Sequence, residues 1–401
     1  MEPEESQPAR PAGDNQTIVS LDTYLVDGGW RNFVIVKIVT SEGIVGWGDA
    51  TLGGKEHAVA VLLQTLAKRY VLRSSPFAIE AVWQRATQAE FNLGPVMYAA
   101  LAGIETAMWD VAGKICGQPV ANLLGGAVRP SVRAYANGWY SGSRDVGRLR
   151  DEARRALELG YDALKFDPFG SAGREISRSE LAAAVTAVEV VRDEAGSADV
   201  LVEFHGRFSV GSAIEAIRAV ADYRPLFCEE PVPPYNVDAQ AMVTDAAGTL
   251  GVRVATGEHV YAAAGFTDLI AKRAAHVVQP DLVYSGGMLE TKKIAALAET
   301  QLLSVAPHNC DGTGRLAALV QLSCSIPNFM ILESFEHFDV PWRSELYIGG
   351  PTFSDGSYLF PTSPGWGYEV NEAVALAHPG SRDATMNMFA DGWERRMSNA
   401  G

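Results

Sequence analysis

The chain has little of what membrane, secreted or nucleic-acid-binding proteins need. It holds only four cysteines in 401 residues and no run of 18 or more apolar residues, which argues against a disulfide framework and a membrane span. Basic residues are in deficit, since 33 lysines and arginines stand against 48 acidic residues and give a formal net charge of −15. Phosphate backbones repel such a chain, so neither a nucleic-acid partner nor a membrane partner is expected.

Two further absences narrow the class. Residues 1–16 lack the basic and apolar regions of a signal peptide, so a disordered tail and a cytoplasmic location are expected. No Gly-rich phosphate loop follows the first strand of the repeat described below, which disfavours a dinucleotide-binding version of a doubly wound open sheet. The composition itself, with 47% hydrophobic residues, is that of a globular protein large enough for two or three domains.

The hydrophobic pattern changes period along the chain. Residues 17–50 alternate like a β-meander and residues 57–125 carry helical spacing, which together predict an α+β capping domain over residues 17–130. From residue 131 to 336, eight short apolar runs alternate with seven helical stretches, which predicts parallel strands in a (β/α)₈-type barrel; an open doubly wound sheet is the rival. Residues 337–401 lack this rhythm and are predicted to return to the cap. The predicted barrel strands are Val132–Ala136, Ala163–Phe166, Val200–Phe204, Leu226–Cys228, Arg253–Thr256, His276–Val278, Leu302–Ala306 and Phe329–Leu332.

Ionisable residues mark the carboxyl ends of seven of these strands, where barrels collect their chemistry. Period two places Lys165 with Asp167, and Glu203 with His205, on one face of their strands. If these faces point inward, three carboxylates from consecutive strands converge and call for a cation. An all-oxygen ligand set favours Mg²⁺ over Zn²⁺. Any one of these residues alone would be read as structural, and only the shared register points to a site. The candidate metal ligands are Glu203, Glu229 and Glu258.

Several motifs resemble those of a known family. They are Gly46-Trp47-Gly48-Asp49, Met108-Trp109-Asp110, Glu229-Glu230-Pro231, Thr256-Gly257-Glu258, Gln279-Pro280-Asp281 and Pro307-His308. Over residues 17–400 the chain resembles the enolase superfamily, in its mandelate racemase-like group. The resemblance implies a capping domain on a (β/α)₇β-type barrel and one Mg²⁺ per site, held by Glu203, Glu229 and Glu258. It also implies that Glu229, rather than Glu230, is the ligand from its motif.

The common step of that superfamily is removal of a proton α to a carboxylate, with Mg²⁺ stabilising the charge that develops. By this resemblance His308 is the base and Asp281 orients its imidazole. Glu333 hydrogen-bonds the substrate carboxylate in its protonated form, and Lys165 adds positive charge on the opposite face.

Two departures from the racemase pattern bear on the reaction. Asp167 stands where a mandelate-type racemase has a second lysine, and Glu203 stands where an aspartate ligand is usual. His205, two residues after Glu203, looks like the general acid of the sugar-acid dehydratases in this group. There it would protonate the departing 3-hydroxyl, a contribution of about 10²- to 10⁴-fold. Asp167 and Arg207 are predicted from their position to contact substrate hydroxyls.

The leading prediction is therefore a dehydratase that converts an aldonate, such as galactonate, to a 2-keto-3-deoxy acid and water. His259 at the barrel mouth and Trp30 in a cap loop are added as candidate substrate contacts. The alternative is a cycloisomerase or epimerase on a sugar acid, anhydro-sugar acid or lactone that uses Lys165 and His308 as an acid–base pair. A barrel that binds without turnover is a third reading. Barrels of this kind often pair, so a homo-oligomer is expected.

Overall fold

The computed structural model describes residues 16–141, 143–310 and 312–381, and its first part is an antiparallel meander. Strands β1 (Ile18–Asp27), β2 (Asn32–Thr40) and β3 (Val45–Asp49) pair in sequence order, which confirms the predicted meander. Helices follow the sheet, with a π-helical turn at Ala67–Val71 after the first of them. These helices are α1 (Glu56–Leu66), α2 (Ile79–Ala89), α3 (Pro95–Cys116) and α4 (Val120–Leu123).

The glycines of the Gly46-Trp47-Gly48-Asp49 motif let β3 lie directly on α3. A Cβ on Gly46 would be 2.4 Å from the carbonyl oxygen of Ala107, and one on Gly48 would be 2.1 Å from that of Gly103. Real Cβ atoms do not approach so closely, so any larger residue would push the strand off the helix. These two glycines of the motif are therefore explained by packing inside the cap.

Asp110, from the second motif of the cap, ties three segments together. Its fully buried carboxylate accepts hydrogen bonds from the backbone amides of Trp47 (2.9 Å) and Trp366 (2.8 Å) and pairs with the ammonium of Lys114 (2.9 Å). Burial raises the pKa of Asp110 to about 6 against the opposing effect of Lys114. The motif thus joins β3, α3 and the C-terminal segment.

Replacing Asp110 by alanine is expected to lower the free energy of unfolding by about 3 kcal/mol, because two buried amides and one ammonium lose their acceptor. Urea denaturation followed by circular dichroism measures the shift in midpoint. Asp193→Ala, on an exposed position of a barrel helix, is the matched control and should change stability by less than about 0.5 kcal/mol. Equal midpoints for the two variants would contradict the role given to Asp110.

Eight parallel strands form a closed barrel. Consecutive strands pair in parallel, β11 returns to pair with β4 through Leu332 and Ala134, and a bridge between Val305 and Phe329 joins the last two strands. The barrel is thereby confirmed over the open sheet. The strands are β4 (Ser131–Ala136), β5 (Ala163–Phe166), β6 (Asp199–Glu203), β7 (Cys228–Glu229), β8 (Val254–Thr256), β9 (Val277–Val278), β10 (Ser304–Val305) and β11 (Leu332–Ser334).

Strands β7 and β11 lie further along the chain than the apolar runs predicted. The predicted apolar runs end just before Glu229 and Glu333, but in the structure Glu229 lies within β7 and Glu333 within β11. The ladder uses backbone groups only, so a charged side chain does not end a strand when its charge is balanced.

Seven helices connect the strands. Several begin at a side chain that accepts a hydrogen bond from an amide of the first turn: Asp145, Ser177 in a full capping box, Ser209 and Asn236. The helices are α5 (Val146–Glu158), α6 (Arg178–Ala195), α7 (Val210–Val220), α8 (Val237–Thr249), α9 (Ala262–Ala271), α10 (Met288–Thr300) and α11 (Thr313–Ser325).

The last described segment joins both parts of the molecule. Ser357 of a short strand pairs antiparallel with Arg133 of β4, while Glu372 of a short helix forms an ion pair with Lys37 of β2 (2.6 Å). Of the predicted tail only Gln16 is described, and residues 382–401 of the returning segment lie outside the described residues. Within the described ranges no helix has the length and apolar character to cross a membrane. The elements of this segment are a 3₁₀ turn (Glu336–Phe338), α12 (Arg343–Leu346), β12 (Tyr347–Gly349), β13 (Phe353–Ser354), β14 (Ser357–Leu359), β15 (Tyr368–Val370) and α13 (Glu372–Ala377).

Candidate active site

A layer of apolar side chains fills the barrel and sets the register of the mouth above it. The layer takes one residue from each strand or its flank: Tyr135, Ala163, Leu201, Phe227, Ala255, Val277, Ala306 and Ile331. Side chains alternate along a strand, so the residue two positions on faces the same interior, one layer nearer the carboxyl end. These next residues are Asn137, Lys165, Glu203, Glu229, Gly257, Gln279, His308 and Glu333. The register thus brings polar groups from seven strands together at one end.

Glu258 reaches the mouth by a different route. Gly257 has a φ of +138°, and a Cβ there would lie 2.8 Å from Phe266. This glycine-only turn shifts the chain out of the regular alternation and turns Glu258 toward the mouth, where its carboxylate lies 3.1 Å from Nε2 of His308.

The Lys165 ammonium lies among three carboxylates. Its Nζ is 3.1 Å from Glu203 Oε2 and 2.8 Å from Glu333 Oε1, and it also bonds Glu229. Burial lowers the pKa of Lys165, but these carboxylates raise it well above its ordinary value. Lys165 is therefore a cation, and three carboxyl groups share its single positive charge.

Glu229 is fully buried. Besides Lys165, it accepts a hydrogen bond from Nε2 of Gln279 (2.7 Å). Burial and the nearby charge of Glu203 raise the pKa of Glu229 well above its ordinary value. Glu203 in turn accepts a hydrogen bond from the backbone amide of His205 (2.7 Å).

A second acidic group lies beside the first. Glu230, which has a φ of +41°, places Oε2 3.0 Å from Nδ1 of His259, and Glu258 Oε1 is 3.2 Å from the same nitrogen. Among the described residues, the potential ligand atoms of Glu230, Glu258 and His259 all lie within 4.8 Å of one another. The predicted set of Glu203, Glu229 and Glu258 does not form so compact a group.

The donor chemistry nevertheless fits Mg²⁺ better in the predicted set. Glu203, Glu229 and Glu258 offer only carboxylate oxygens, and the excess of negative charge around Lys165 suits a divalent cation. In the other set His259 supplies a nitrogen, which transition metals prefer, and the carboxylate of Glu230 raises the pKa of this histidine to about 10. A metal at this nitrogen would have to compete with the proton that Glu230 holds there. The predicted ligands remain the proposal.

His308 and Asp281, which the family resemblance pairs, lie buried side by side. Nδ1 of His308 lies 2.8 Å from Oδ2 of Asp281, and the same oxygen accepts a hydrogen bond from Arg315 (2.6 Å). Arg315, from α11, also bonds the carbonyl oxygen of Thr51 in the cap. Burial raises the pKa of Asp281, but Arg315 and His308 lower it below its ordinary value, so this carboxylate stays ionised.

A second histidine–aspartate pair lies across the barrel. Nδ1 of His205 is 2.6 Å from Oδ2 of Asp167, and Arg207 bonds the same oxygen. Burial lowers the pKa of His205, but the charges of Glu203 and Asp167 raise it to about 9. Asp167 and Arg207 are both buried and bond inward, so this geometry favours a role in holding His205 over the predicted contact with substrate hydroxyls.

Glu333 is surrounded by hydrogen-bond donors and one cation. It accepts hydrogen bonds from Nδ2 of Asn137 (2.6 Å) and the amide of Asn309 (2.8 Å), besides pairing with Lys165. Burial raises the pKa of Glu333, but the charges of Lys165 and His308 lower it to about 2. These contacts favour the ionised form in the protein alone, and the protonated form expected beside a substrate carboxylate stays a prediction.

Trp30 lines a cavity that none of the site residues described above lines. This cavity of about 600 Å³ is also lined by Gly138, Trp139 and His337, and lies between the cap loop and the ends of the first and last barrel strands. His337, which sequence reasoning leaves as structural, lines the same cavity. The other predicted contact, His259, has a side chain that is 46% exposed at the mouth.

The fold and this site define a capped barrel protein with acid–base groups and carboxylates at the carboxyl ends of its strands. A family model described as Enolase C-terminal domain-like matches residues 148–374. A second model, for the Mandelate racemase / muconate lactonizing enzyme N-terminal domain, matches residues 25–125. The chain belongs to the mandelate racemase / muconate lactonizing enzyme group of the enolase superfamily.

Individual relatives agree with this assignment. The chain is 35% identical over 353 residues to D-gluconate dehydratase of Thermoproteus tenax, covering 87% of this chain and 70% of that protein. It is 34% identical over 374 residues to D-gluconate/D-galactonate dehydratase of Picrophilus torridus, covering 90% and 93%. The crystal structure of a mandelate racemase/muconate lactonizing enzyme-like protein from Roseovarius sp. TM1035 has a TM-score of 0.85 and 33% identity, covering 91% and 96%.

Proposed function

We propose that the protein is a Mg²⁺-dependent acid-sugar dehydratase that converts an aldonate to a 2-keto-3-deoxy acid and water. The observation that carries the proposal is the pair of aspartate-held histidines, His308 after β10 and His205 after β6. These strands are four apart in a ring of eight and therefore face each other across the mouth. The relatives named as gluconate and galactonate dehydratases support the substrate class.

In this proposal His308 removes the proton α to the substrate carboxylate, and His205 gives a proton to the 3-hydroxyl. The C–O bond breaks, water leaves, and the resulting enol tautomerises to the 2-keto-3-deoxy acid, so atoms balance between one substrate and two products. Mg²⁺, bound by Glu203, Glu229 and Glu258, would stabilise the negative charge that develops on the substrate carboxylate. The pKa of His205, raised to about 9, suits an acid that is protonated at neutral pH.

The base needs a neutral His308. Burial lowers the pKa of His308, but Glu258 and Glu333 help to raise it well above its ordinary value. Glu258 is also a proposed ligand, so a cation there offsets one of the charges that hold His308 protonated. In this proposal, binding of the ion at Glu258 therefore favours the neutral form of His308 that the base needs.

Incubation of the purified protein with Mg²⁺ and a panel of hexonates and pentonates is expected to yield 2-keto-3-deoxy acids. Colorimetric detection of the keto-deoxy product, with confirmation by NMR, measures turnover for each stereoisomer. His205→Asn tests the proposed acid, and its rate of dehydration should be about 10²- to 10⁴-fold lower than that of wild type. The absence of keto-deoxy acid from every aldonate would contradict the proposed function.

The isomerase alternative has less support. It needs Lys165 to exchange a proton with substrate, yet its ammonium is 1% exposed and shared by carboxylates that raise its pKa. A lysine held in this way is a poor base at neutral pH. Running the same assay in D₂O separates the two reactions, because an epimerase returns deuterated sugar acid without loss of water.

A further inference from the structure

We propose that Asp167, held by Arg207, is the positioning residue of His205. The mouth then carries two Asp–His pairs, in each of which an arginine holds the aspartate. The inference rests on the proposed function, in which His205 is the acid. It assigns to Asp167 and Arg207 a task different from the substrate contact expected from their sequence positions.

The first pair shows the construction. Oδ2 of Asp281 is hydrogen-bonded both to the imidazole of His308 (2.8 Å) and to the guanidinium of Arg315 (2.6 Å). Oδ1 of the same carboxylate accepts hydrogen bonds from the backbone amides of Val283 (2.7 Å) and Tyr284 (3.0 Å). Both oxygens are thereby fixed, and the imidazole has one orientation.

The second pair repeats it with different residues. Oδ2 of Asp167 is hydrogen-bonded to Nδ1 of His205 (2.6 Å) and to the guanidinium of Arg207. Oδ1 accepts the backbone amide of Phe169 (2.7 Å), two residues on, as Asp281 does with Val283. Asp167 has no exposed surface, so its carboxylate is enclosed by protein groups.

The backbone is shaped to make this contact. His205 and Gly206 have φ values of +50° and +62°, a left-handed turn that brings the next residue back over the strand end. Arg207 is then anchored through Nε to the carbonyl oxygen of Phe204 (2.9 Å) and through Nη1 to that of Gly170 (2.6 Å). A left-handed histidine costs conformational free energy, so the surrounding contacts must hold it in place.

The consequence concerns the two ring nitrogens. When Nδ1 donates to Asp167, Nε2 is the nitrogen that carries the transferred proton. The His205 side chain keeps 23% of its surface exposed while Asp167 has none, so the imidazole meets the mouth and the carboxylate stays behind it. Asp167 therefore acts through His205 and not on the substrate.

The test compares Asp167→Asn with wild type on an aldonate in D₂O, because proton removal by His308 and water loss through His205 have separate readouts. Dehydration by Asp167→Asn is expected to fall about 10²-fold with little change in KM. Exchange of the α-proton, read by NMR of recovered substrate, should stay within a few-fold of wild type, so the ratio of exchange to dehydration rises. Asp281→Asn, the matched variant on the other pair, should lower exchange and dehydration together.

Parallel loss of exchange and dehydration in Asp167→Asn, or a raised KM with unchanged kcat, would overturn the inference. Arg207→Lys provides a second variant if the first does not fold, and should shift the same ratio less.

Imidazole ¹⁵N NMR of the unliganded protein tests positioning without turnover, with the His205 signals assigned by His205→Asn. Wild type should show a protonated Nδ1 in a strong hydrogen bond, and Asp167→Asn should lose that signature. Identical spectra would refute the inference. A wild type with this signature and no product from any aldonate would refute only the proposed function.

Discussion

Replacing His308 by asparagine is expected to abolish both dehydration and α-proton exchange. In the proposed mechanism its imidazole removes the proton; Nδ1 is held by Asp281 at 2.8 Å, and Nε2 lies at the carboxylate cluster, 3.1 Å from Glu258. Asparagine preserves a polar group of similar reach but cannot accept the proton, so a loss of about 10³- to 10⁴-fold in kcat is expected. Steady-state assay of the keto-deoxy product and NMR in D₂O measure the two activities.

A histidine at the other end of the barrel provides the control. His276 precedes β9 and accepts a hydrogen bond from the backbone amide of Val254 (3.0 Å), at the amino ends of the strands. His276→Asn should leave kcat and KM within about two-fold of wild type, since substitutions distant from a site act through stability alone. If His308→Asn loses dehydration but keeps exchange, another base removes the proton, and Lys165 becomes the candidate. If it keeps both, the assignment of His308 as base fails.

Much of this site could be predicted because strand periodicity converts position into direction. Lys165, Glu203, His308 and Glu333 each lie two residues beyond an apolar residue of the barrel layer, and that spacing is visible in the sequence. In a parallel barrel the carboxyl ends of all strands lie at one mouth, so these side chains are brought together there. The outline of the site therefore follows from local pattern plus one correct choice of fold.

Arg315 shows what local pattern leaves out. It lies in the first turns of α11 and reaches Asp281, 34 residues earlier, and Thr51 of the cap. No periodicity links these positions. One signal was present, because Arg315 is the single charged residue in α11 and, apart from Gln321, the rest of that helix is apolar or small. A lone charge on a helix that packs inside a protein needs a buried partner.

The charge state of Glu333 is another such case. The family resemblance implies a protonated Glu333 beside the substrate carboxylate, and the sequence gives no distance to a neighbouring charge. In the protein alone, Lys165 lies 2.8 Å away and brings the pKa of Glu333 to about 2. The choice between Glu229 and Glu230 is of the same kind, since adjacent residues differ only in the direction that the backbone gives them. Glu229 continues the interior register, while the left-handed Glu230 turns to His259.

Removing divalent cations with EDTA is expected to reduce dehydration at least about 10³-fold, and Mg²⁺ should restore it. The reason is the charge count at the mouth: Glu203, Glu229 and Glu333 share the single ammonium of Lys165, and Glu258 adds a further carboxylate nearby. In the proposed mechanism the cation offsets these carboxylates, so that the site can accept a substrate carboxylate. Turnover that survives exhaustive dialysis against EDTA would end the case for a metal-dependent reaction.

Two neighbouring substitutions then locate the ion. Glu229→Gln removes a proposed ligand and should weaken Mg²⁺ binding at least about 100-fold. Glu230→Gln removes a hydrogen-bond partner of His259 and should weaken Mg²⁺ binding by no more than about tenfold. Calorimetric titration of the metal-free protein with MgCl₂ gives both affinities without any assay of activity. The two side chains are equal in charge and size and adjacent in the chain, so a general electrostatic effect would move both affinities alike. The reverse order, with His259→Asn also abolishing binding, would place the ion among Glu230, Glu258 and His259, where the ligand atoms lie within 4.8 Å of one another.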